Sequence, residues 1–556
     1  MRQVADRVQQ FLRGRNILVT GVTGFLGKPL LEKLLRAVPE LGRVYLLIRS
    51  QKGGTGRPVP AQERFEREVL AAGAFDRLRE EWKGDFERRV REKVCVLNGD
   101  IGLPAFGLSP AEYRRLTETV SVVVNSAAVV VFDERLDYSL QLNAEAPRRL
   151  IQFARECREG YLLHVSTAYV NGPNPDPAPE RLIPRRSERP EGWRGPLLPD
   201  DVEAEIQQLL ERCRQIEAHA EEPAVRRQIH IQARRLRRMR PALSPSEAVV
   251  AARERWLREQ LIQLGMAVAK SRGWNDTYTY TKALGEQVLA ENRGAVPVAI
   301  VRPSIIESSF EEPDAGWIDG LRMADPIIIA YGKGRLPEFP AVPSIQLDLI
   351  PVDFVVNAML VALAELGRTG GLQVYQVASG EENPVTFREL YDHTRAHFQR
   401  DPMLDRNGRP VPLPTWSFPP LEQFQRRFLW TRLRPLRAAQ ALVERLPGRR
   451  WRELRSRIAS LASASERLYY YTVIYGPYIT RSYHFESRRT RALFEKLTPE
   501  ERARWNFDVR RIDWGRYIQE VHIPGLKRNV LKMDPRRVRP RIAEEELLAA
   551  EEDEEA

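Results

Sequence analysis

An apolar run that breaks into spaced glycines and then resumes with helical spacing leaves a chain few folds to adopt. Here NILVT begins at Asn16, Gly21-Val22-Thr23-Gly24-Phe25-Leu26-Gly27 follows at once, and KPLLEKLLRAV comes next. The first run reads as a buried strand, the last as an amphipathic helix, and VYLLIR beyond it as a second strand, together a βαβ unit. Glycines in such a turn let the backbone approach a pyrophosphate closely. The helix N-terminus adds unpaired amides and a favourable dipole for the anion. The expected cradle is Gly21, Thr23, Gly24, Phe25, Leu26 and Gly27.

Further β-rich runs, KVCVLNGD, SVVVNSA, YLLHVSTAYV and VPVAIVRPS, alternate with charged helical stretches. That alternation predicts an α/β fold, a Rossmann-type doubly wound parallel sheet. The spacing GxxGxxG resembles that of extended short-chain dehydrogenases. At the end of the second strand, where an acidic residue would select NAD, stand Ile48-Arg49-Ser50. A guanidinium can pair bidentately with a 2′-phosphate that a carboxylate would repel, so the expected cofactor is NADPH. Asp100 and Ile101 close the third strand near the expected adenine. Ala127 and Ala128 close the fourth, where small side chains leave room for a dinucleotide.

The chemistry concentrates in Tyr278-Thr279-Tyr280-Thr281-Lys282. On a helix, Tyr278 and Lys282 share one face. A phenol titrates near pH 10, and a nearby ammonium is expected to lower that value, making Tyr278 the general acid that protonates a carbonyl oxygen as hydride arrives. Upstream, Ser166-Thr167 ends a strand. Thr167 is the expected hydroxyl donor to the substrate oxygen and Ser166 the fallback. Pro303 and Ser304, after the next strand, are expected beside the nicotinamide with Lys282, whereas Trp274 and Tyr280 read as packing residues. No metal site is expected: His393 and His397 in HTRAH lack the glutamate of HExxH and a third ligand. No GxSxG elbow suggests a hydrolase.

At 556 residues the chain is expected to hold more than one unit. The boundaries read as an N-terminal lead (1–13), a catalytic domain (14–385) with a charged helical insertion (about 173–266), a helical domain (386–533) and an acidic tail (534–556). The net charge of +12 suits a nucleic acid, an anionic membrane or a polyanionic substrate such as a CoA ester, without choosing among them. Three scattered cysteines argue against a secreted disulfide framework. With a polar start and no run of about 18 apolar residues, the expected location is cytoplasmic. The arginine-dense FQRRFLWTRLRPL leaves open two readings, a packed helix or peripheral attachment to a membrane.

Several longer segments together resemble the alcohol-forming fatty acyl-CoA reductases, the group that includes the plant male-sterility proteins. They are VTGVTGFLGKPLLEKLL, AAVVVFDE, HVSTAYVNG, GWNDTYTYTKALGE, VRPSIIESSFEEPDAGWIDG, LDLIPVDFVVNAML and RIDWGRYIQEVHIPGLKRNVLK. The resemblance implies NADPH-dependent reduction of a long-chain fatty acyl-CoA, through a hemithioacetal and an aldehyde, to a primary alcohol. Nucleic acid is not an expected partner. The alternatives are a carrier-protein or CoA thioester reductase that stops at the aldehyde, a nucleotide-sugar epimerase or dehydratase, and a basic membrane- or nucleic-acid-binding Rossmann scaffold without activity.

Overall fold

The computed structural model describes residues 6–52, 58–240, 242–405, 407–444 and 451–533. Seven strands form the central sheet: β1 (Ile17–Thr20), β2 (Val44–Ile48), β3 (Val94–Asn98), β4 (Val122–Asn125), β5 (Tyr161–Val165), β6 (Val298–Pro303) and β7 (Leu372–Val377). All pair in parallel, in the spatial order β7-β6-β5-β4-β1-β2-β3. Strand side chains alternate between faces. Accordingly Ile17, Val19, Val122 and Val124 enter one apolar core, and Leu18 and Val123 the other. Helices cover both faces, which is why these strands read as continuous apolar runs. The chain order reverses between β1 and β4, and the carboxyl ends there open the crevice in which doubly wound sheets bind ligands. Register brings the polar strand ends together, with Thr20 beside Asn125 and Asn125 beside His164.

The residues expected to be a lead contain helix α1 (Arg7–Leu12), whose Val8 and Leu12 are fully buried. Its Asp6 cap accepts from Trp505 Nε1 at 2.8 Å, and Arg7 pairs with Glu501 at 3.1 Å, so this segment is packed against the C-terminal part of the chain. Helix α2 (Gly27–Ala37) follows the glycine turn. The charged insertion forms α3 (Val202–His219), α4 (Pro223–Met239) and α5 (Pro245–Ser271). The last two enclose a small core of their own around Ile229, Ala248 and Trp256. Helix α6 (Thr277–Asn292) carries the Tyr278 motif. The largely buried α7 (Val352–Thr369) packs with α2 under one face of the sheet.

The expected boundary at 385/386 falls inside a short antiparallel ladder, Gln346–Leu347 with Val385–Thr386, so the chain passes without a gap into its helical part. That part includes α8 (Arg452–Ile474). Of the two readings of FQRRFLWTRLRPL, Phe424 and Phe428 follow the packed one, being buried, while Trp430 is 60% exposed. No helix among the described residues is long and apolar enough to cross a membrane.

Candidate active site

The glycine turn is shaped by contacts that exclude side chains. Gly21 has φ +74°, and a Cβ there would stand 2.5 Å from the Ala127 amide nitrogen. A Cβ on Gly27 would meet the Gly21 carbonyl oxygen at 2.3 Å. Gly24 is looser, at 3.2 Å from the same oxygen. The turn is thus pressed against the end of β4, where Ser126 Oγ donates to the Thr20 carbonyl at 2.8 Å. Leu26 precedes α2 without a side-chain cap, Lys28 N donates to the Gly24 carbonyl at 3.4 Å and Pro29 has no N–H, so Gly27 carries the amide at the mouth of the turn.

At the end of β2, Arg49 is exposed and its Nη1 donates to Tyr138 Oη at 2.7 Å. Burial opposes its charge, but Tyr138 and Asp100 outweigh it and hold the guanidinium firmly cationic. Ser50 Oγ donates to Asn98 Oδ1 at 2.8 Å, and Asp100 Oδ1 accepts from Gly102 N at 2.7 Å, which folds the turn carrying the buried Ile101. Phe25 stacks on Trp317, with ring centroids 5.4 Å apart. Arg49, Ser50, Asp100, Ile101, Ala127 and Ala128 thereby follow the ends of β2, β3 and β4 along the carboxyl edge of the sheet. The small, open cradle and its cationic rim fit a dinucleotide.

Helix α6 starts where Asp276 accepts from Thr279 N at 2.8 Å, an aspartate N-cap. Tyr278, Lys282 and Glu286 then recur every fourth residue. Glu286 accepts from Arg302 Nε at 2.9 Å in a fully buried ion pair, fixing the helix to β6 just before Pro303 and Ser304. Ser304 is buried, its N donating to the Val377 carbonyl at 3.0 Å. Asn143 spans the other side: its amide donates to the Val129 carbonyl and to Thr281 Oγ1, each at 3.1 Å, and its Oδ1 accepts from Val129 N. Trp274 and Tyr280 are buried packing residues, Trp274 Nε1 donating to the Val170 carbonyl and Tyr280 Oη to Glu205 of α3.

The Tyr278 phenol is held above its ordinary value, chiefly by burial and then by the Asp276 carboxylate, while the Thr167 hydroxyl works in the opposite direction. This corrects the expectation that Lys282 lowers it. Thr167 and Tyr278 are brought together, whereas Ser166 Oγ is buried and has no hydrogen-bond partner among the described residues. Lys282 Nζ instead donates to the Val165 carbonyl at 2.7 Å and lies 3.3 Å from His164 Nε2.

A buried polar chain continues from there. Asn125 Nδ2 meets His164 Nδ1 at 2.9 Å, and Asn125 Oδ1 accepts from Thr20 Oγ1 at 2.6 Å and from Ala127 N at 3.2 Å. Those two donors orient the amide, so Nδ2 donates and His164 Nδ1 accepts. Burial and the neighbouring Lys282 hold His164 neutral, which puts its proton on Nε2, facing the lysine. Two donors facing each other favour the neutral amine. Burial lowers Lys282 to about 8, with Glu286 opposing that shift.

The helical C-terminal part completes the site. Phe132 stacks on Tyr278 at 5.9 Å and contacts Tyr475 and Tyr478 at 5.5 and 5.2 Å. Tyr478 Oη donates a short hydrogen bond to Asp276, and Asn275 Nδ2 donates to Tyr483 Oη at 2.7 Å. Sequence reading placed His164 on the Ser166 face of its strand without giving it a role, and did not assign Asn143, Asp276 or these tyrosines to the site; apart from the local Asp276 cap, their partners are brought in by the fold. His393 and His397 lie far from this crevice in sequence and packing, both bonded to Gln519.

A family model described as male sterility protein matches residues 19–359, and a second of that description matches 442–533. The chain is similar to the chloroplastic fatty acyl-CoA reductase 2 of Arabidopsis thaliana, 33% identical over 94% of this chain and 79% of that protein. It is also similar to the alcohol-forming fatty acyl-CoA reductase of Simmondsia chinensis, at 30% identity over 94% and 99% of the two chains. The crystal structure of the terminal R domain from the myxalamid PKS-NRPS biosynthetic pathway superposes with a TM-score of 0.53 at 18% identity, covering 93% of this chain and 92% of that one, and speaks for the fold. With its strand, glycine turn and helix forming a nicotinamide-dinucleotide-binding unit and both family segments present, the chain belongs to the male sterility protein family of fatty acyl-CoA reductases.

Proposed function

We infer that this protein reduces long-chain fatty acyl-CoA to the primary alcohol with NADPH, using Tyr278 as proton donor. The observation that carries the reading is the meeting of Thr167, just past the end of β5, with Tyr278 in the first turn of α6. When bound, the reduced nicotinamide supplies hydride. Thr167 and Tyr278 donate hydrogen bonds to the carbonyl oxygen, and the Tyr278 proton moves to that oxygen as its charge develops. A phenol kept protonated by burial suits this task, because an alkoxide is basic enough to take its proton. The resulting hemithioacetal loses its C–S bond, releasing the thiol of CoA and an aldehyde. A second hydride and proton give the alcohol. Lys282 and His164 hold the polar chain behind the phenol.

The choice of NADPH is supported by Arg49, whose exposed guanidinium stands at the end of β2, where the ribose of a dinucleotide would lie. A peripheral attachment to anionic lipid is supported by the exposed Trp430, with the Arg434 guanidinium 3.7 Å from its ring centroid. The test of the main reading is incubation of purified protein with NADPH and saturated acyl-CoAs, with chromatography of the products. Fatty alcohol, at two NADPH oxidised per thioester, is expected. Aldehyde alone supports the shorter reaction, and absence of NADPH oxidation contradicts both.

A further inference from the structure

Away from the crevice, three buried side chains from distant segments converge. Glu307 ends the short strand Ile305–Glu307, Asp325 begins the helix Asp325–Gly332, and His522 ends the helical segment Tyr517–His522 of the C-terminal part. Their exposures are 1%, 0% and 3%. One donor atom from each lies within 4.8 Å of the other two, with His522 Nε2 3.0 Å from Asp325 Oδ1 and 3.9 Å from Glu307 Oε2. Asp325 Oδ2 accepts from Arg322 N at 2.6 Å, but Asp325 Oδ1 has no partner in bonding geometry among the described residues, and Glu307 has only the Ala324 backbone amide beside it. Buried carboxylates short of donors and without a directly paired counter-charge are strongly unfavourable, and two sharing a site are worse.

The arginine whose charge reaches Glu307 is Arg322. It acts on Glu307 electrostatically without a hydrogen bond, as its Nε has no partner and its guanidinium lies 4.6 Å from the centroid of the Phe25 ring. Around His522 the protons fall into one self-consistent order. Tyr517 Oη donates to the Ser308 carbonyl at 2.7 Å, which leaves it an acceptor for Ser308 Oγ at 3.1 Å. Ser308 Oγ then accepts from His522 Nδ1–H at 3.0 Å. That tautomer leaves Nε2 as a bare lone pair aimed at two carboxylates. An imidazole held by a hydrogen bond on its far nitrogen, with carboxylates before the near one, is how proteins present these groups to a metal. The 3.0 Å separation matches ligand atoms that each stand about 2 Å from a shared ion.

We propose that Glu307, Asp325 and His522 form a closed site for one divalent transition-metal ion of the Zn2+ class, which rivets the C-terminal part of the chain to the sheet domain. Two carboxylates and one divalent cation sum to zero charge, removing the burial problem. Imidazole with carboxylate suits Zn2+ better than the all-oxygen shells of Mg2+ or Ca2+. Complete burial keeps substrate from the ion and marks it as structural, its fourth tetrahedral position going to the second oxygen of a bidentate carboxylate. The backbone beside His522 is pinned at the same interface, since a Cβ on Gly316 would stand 2.4 Å from the Val521 carbonyl oxygen. The sequence offered no HxxxH or CxxC spacing here, because the ligands are scattered over more than two hundred positions.

The test uses the full chain, freed of any affinity tag and expressed with Zn2+ in the medium. Elemental analysis after gel filtration is expected to find about one Zn2+ per chain, and very little in Glu307→Gln and His522→Gln. A strong chelator should lower the wild-type Tm and Zn2+ restore it, while Glu307→Gln melts below wild type and ignores both. The proposal is overturned by a metal-free wild type whose Tm neither chelator nor Zn2+ moves. It is overturned equally by a Glu307→Gln variant that melts above wild type, the sign expected if the carboxylate is merely buried and unpaired. Should the variants not fold, wild-type metal content and its chelator response decide alone.

Discussion

Lys282 Nζ stands 3.3 Å from His164 Nε2, with neither able to accept from the other while the lysine is charged. The pair therefore biases the lysine toward its neutral form, in the same direction as burial, which brings Lys282 down to about 8. The high-pH limb of kcat/KM for acyl-CoA should accordingly fall near pH 8. In His164→Gln, an amide oxygen can accept from the ammonium, and that limb should move upward by roughly one unit. A profile unchanged by the substitution would detach His164 from the lysine.

Asp276 is buried, and burial raises it to about 6 despite the hydrogen bonds it accepts. Its folded value lies above the unfolded one, so the native state binds the proton more tightly. Stability should fall as pH rises from the ordinary aspartate range through about 6, and the cost is fully present above that. Asn caps a helix as well as Asp and carries no charge. Asp276→Asn is expected to be more stable than wild type at pH 8 by about 1–3 kcal/mol and to lose that advantage near pH 4. Urea denaturation at both pH values checks it.

Tyr478→Phe removes the donor that crosses from the C-terminal part to Asp276. Leaving that acceptor short of a partner should cost about 1–3 kcal/mol. In the Asp276→Asn background the same change should cost less. Equal costs in the two backgrounds, measured by chemical denaturation, would mean that the two side chains are not coupled.

Gly21 and Gly24 should respond differently to alanine. Gly21→Ala demands a left-handed φ of +74° and a Cβ 2.5 Å from the Ala127 nitrogen, so dinucleotide binding and Tm should both drop sharply. Gly24→Ala needs only a few tenths of an ångström of relief at 3.2 Å, and should bind weakly but fold. Fluorescence titration with NADPH separates them.

Arg49→Ala should raise the KM for NADPH by roughly 10- to 100-fold, the loss of a charge-assisted hydrogen bond, and leave that for NADH nearly unchanged. Equal effects on both cofactors would remove Arg49 from the choice between them.

How much of this was legible depended on distance along the chain. The cradle lies within Gly21–Gly27 and its geometry follows from adjacent residues, so the sequence shows it. Tyr278 and Lys282 are one helical turn apart and announce a shared face. The ionic state of Tyr278 was not legible, because it depends on burial by Phe132 and on Asp276, and Lys282 turns toward β5. His164 looks like an ordinary strand residue; its partners stand 39 and 118 residues away. The edge strand β7 was obscured by Gln373 and Gln376. Gln376 sits fully buried there only because its amide donates to the Ala178 and Glu486 carbonyls at 2.8 Å each. The N-terminal helix likewise gives no sequence sign that Arg7 will meet Glu501, 494 positions on.

The most direct measurement is single-turnover reduction of a saturated long-chain acyl-CoA by Tyr278→Phe, beside wild type and with NADPH binding measured on the same samples. The account predicts NADPH affinity within a few-fold of wild type and a hydride-transfer rate lower by about 10²–10⁴-fold, because the proton donor alone is gone. A variant that binds NADPH and reduces the thioester at the wild-type rate would contradict it.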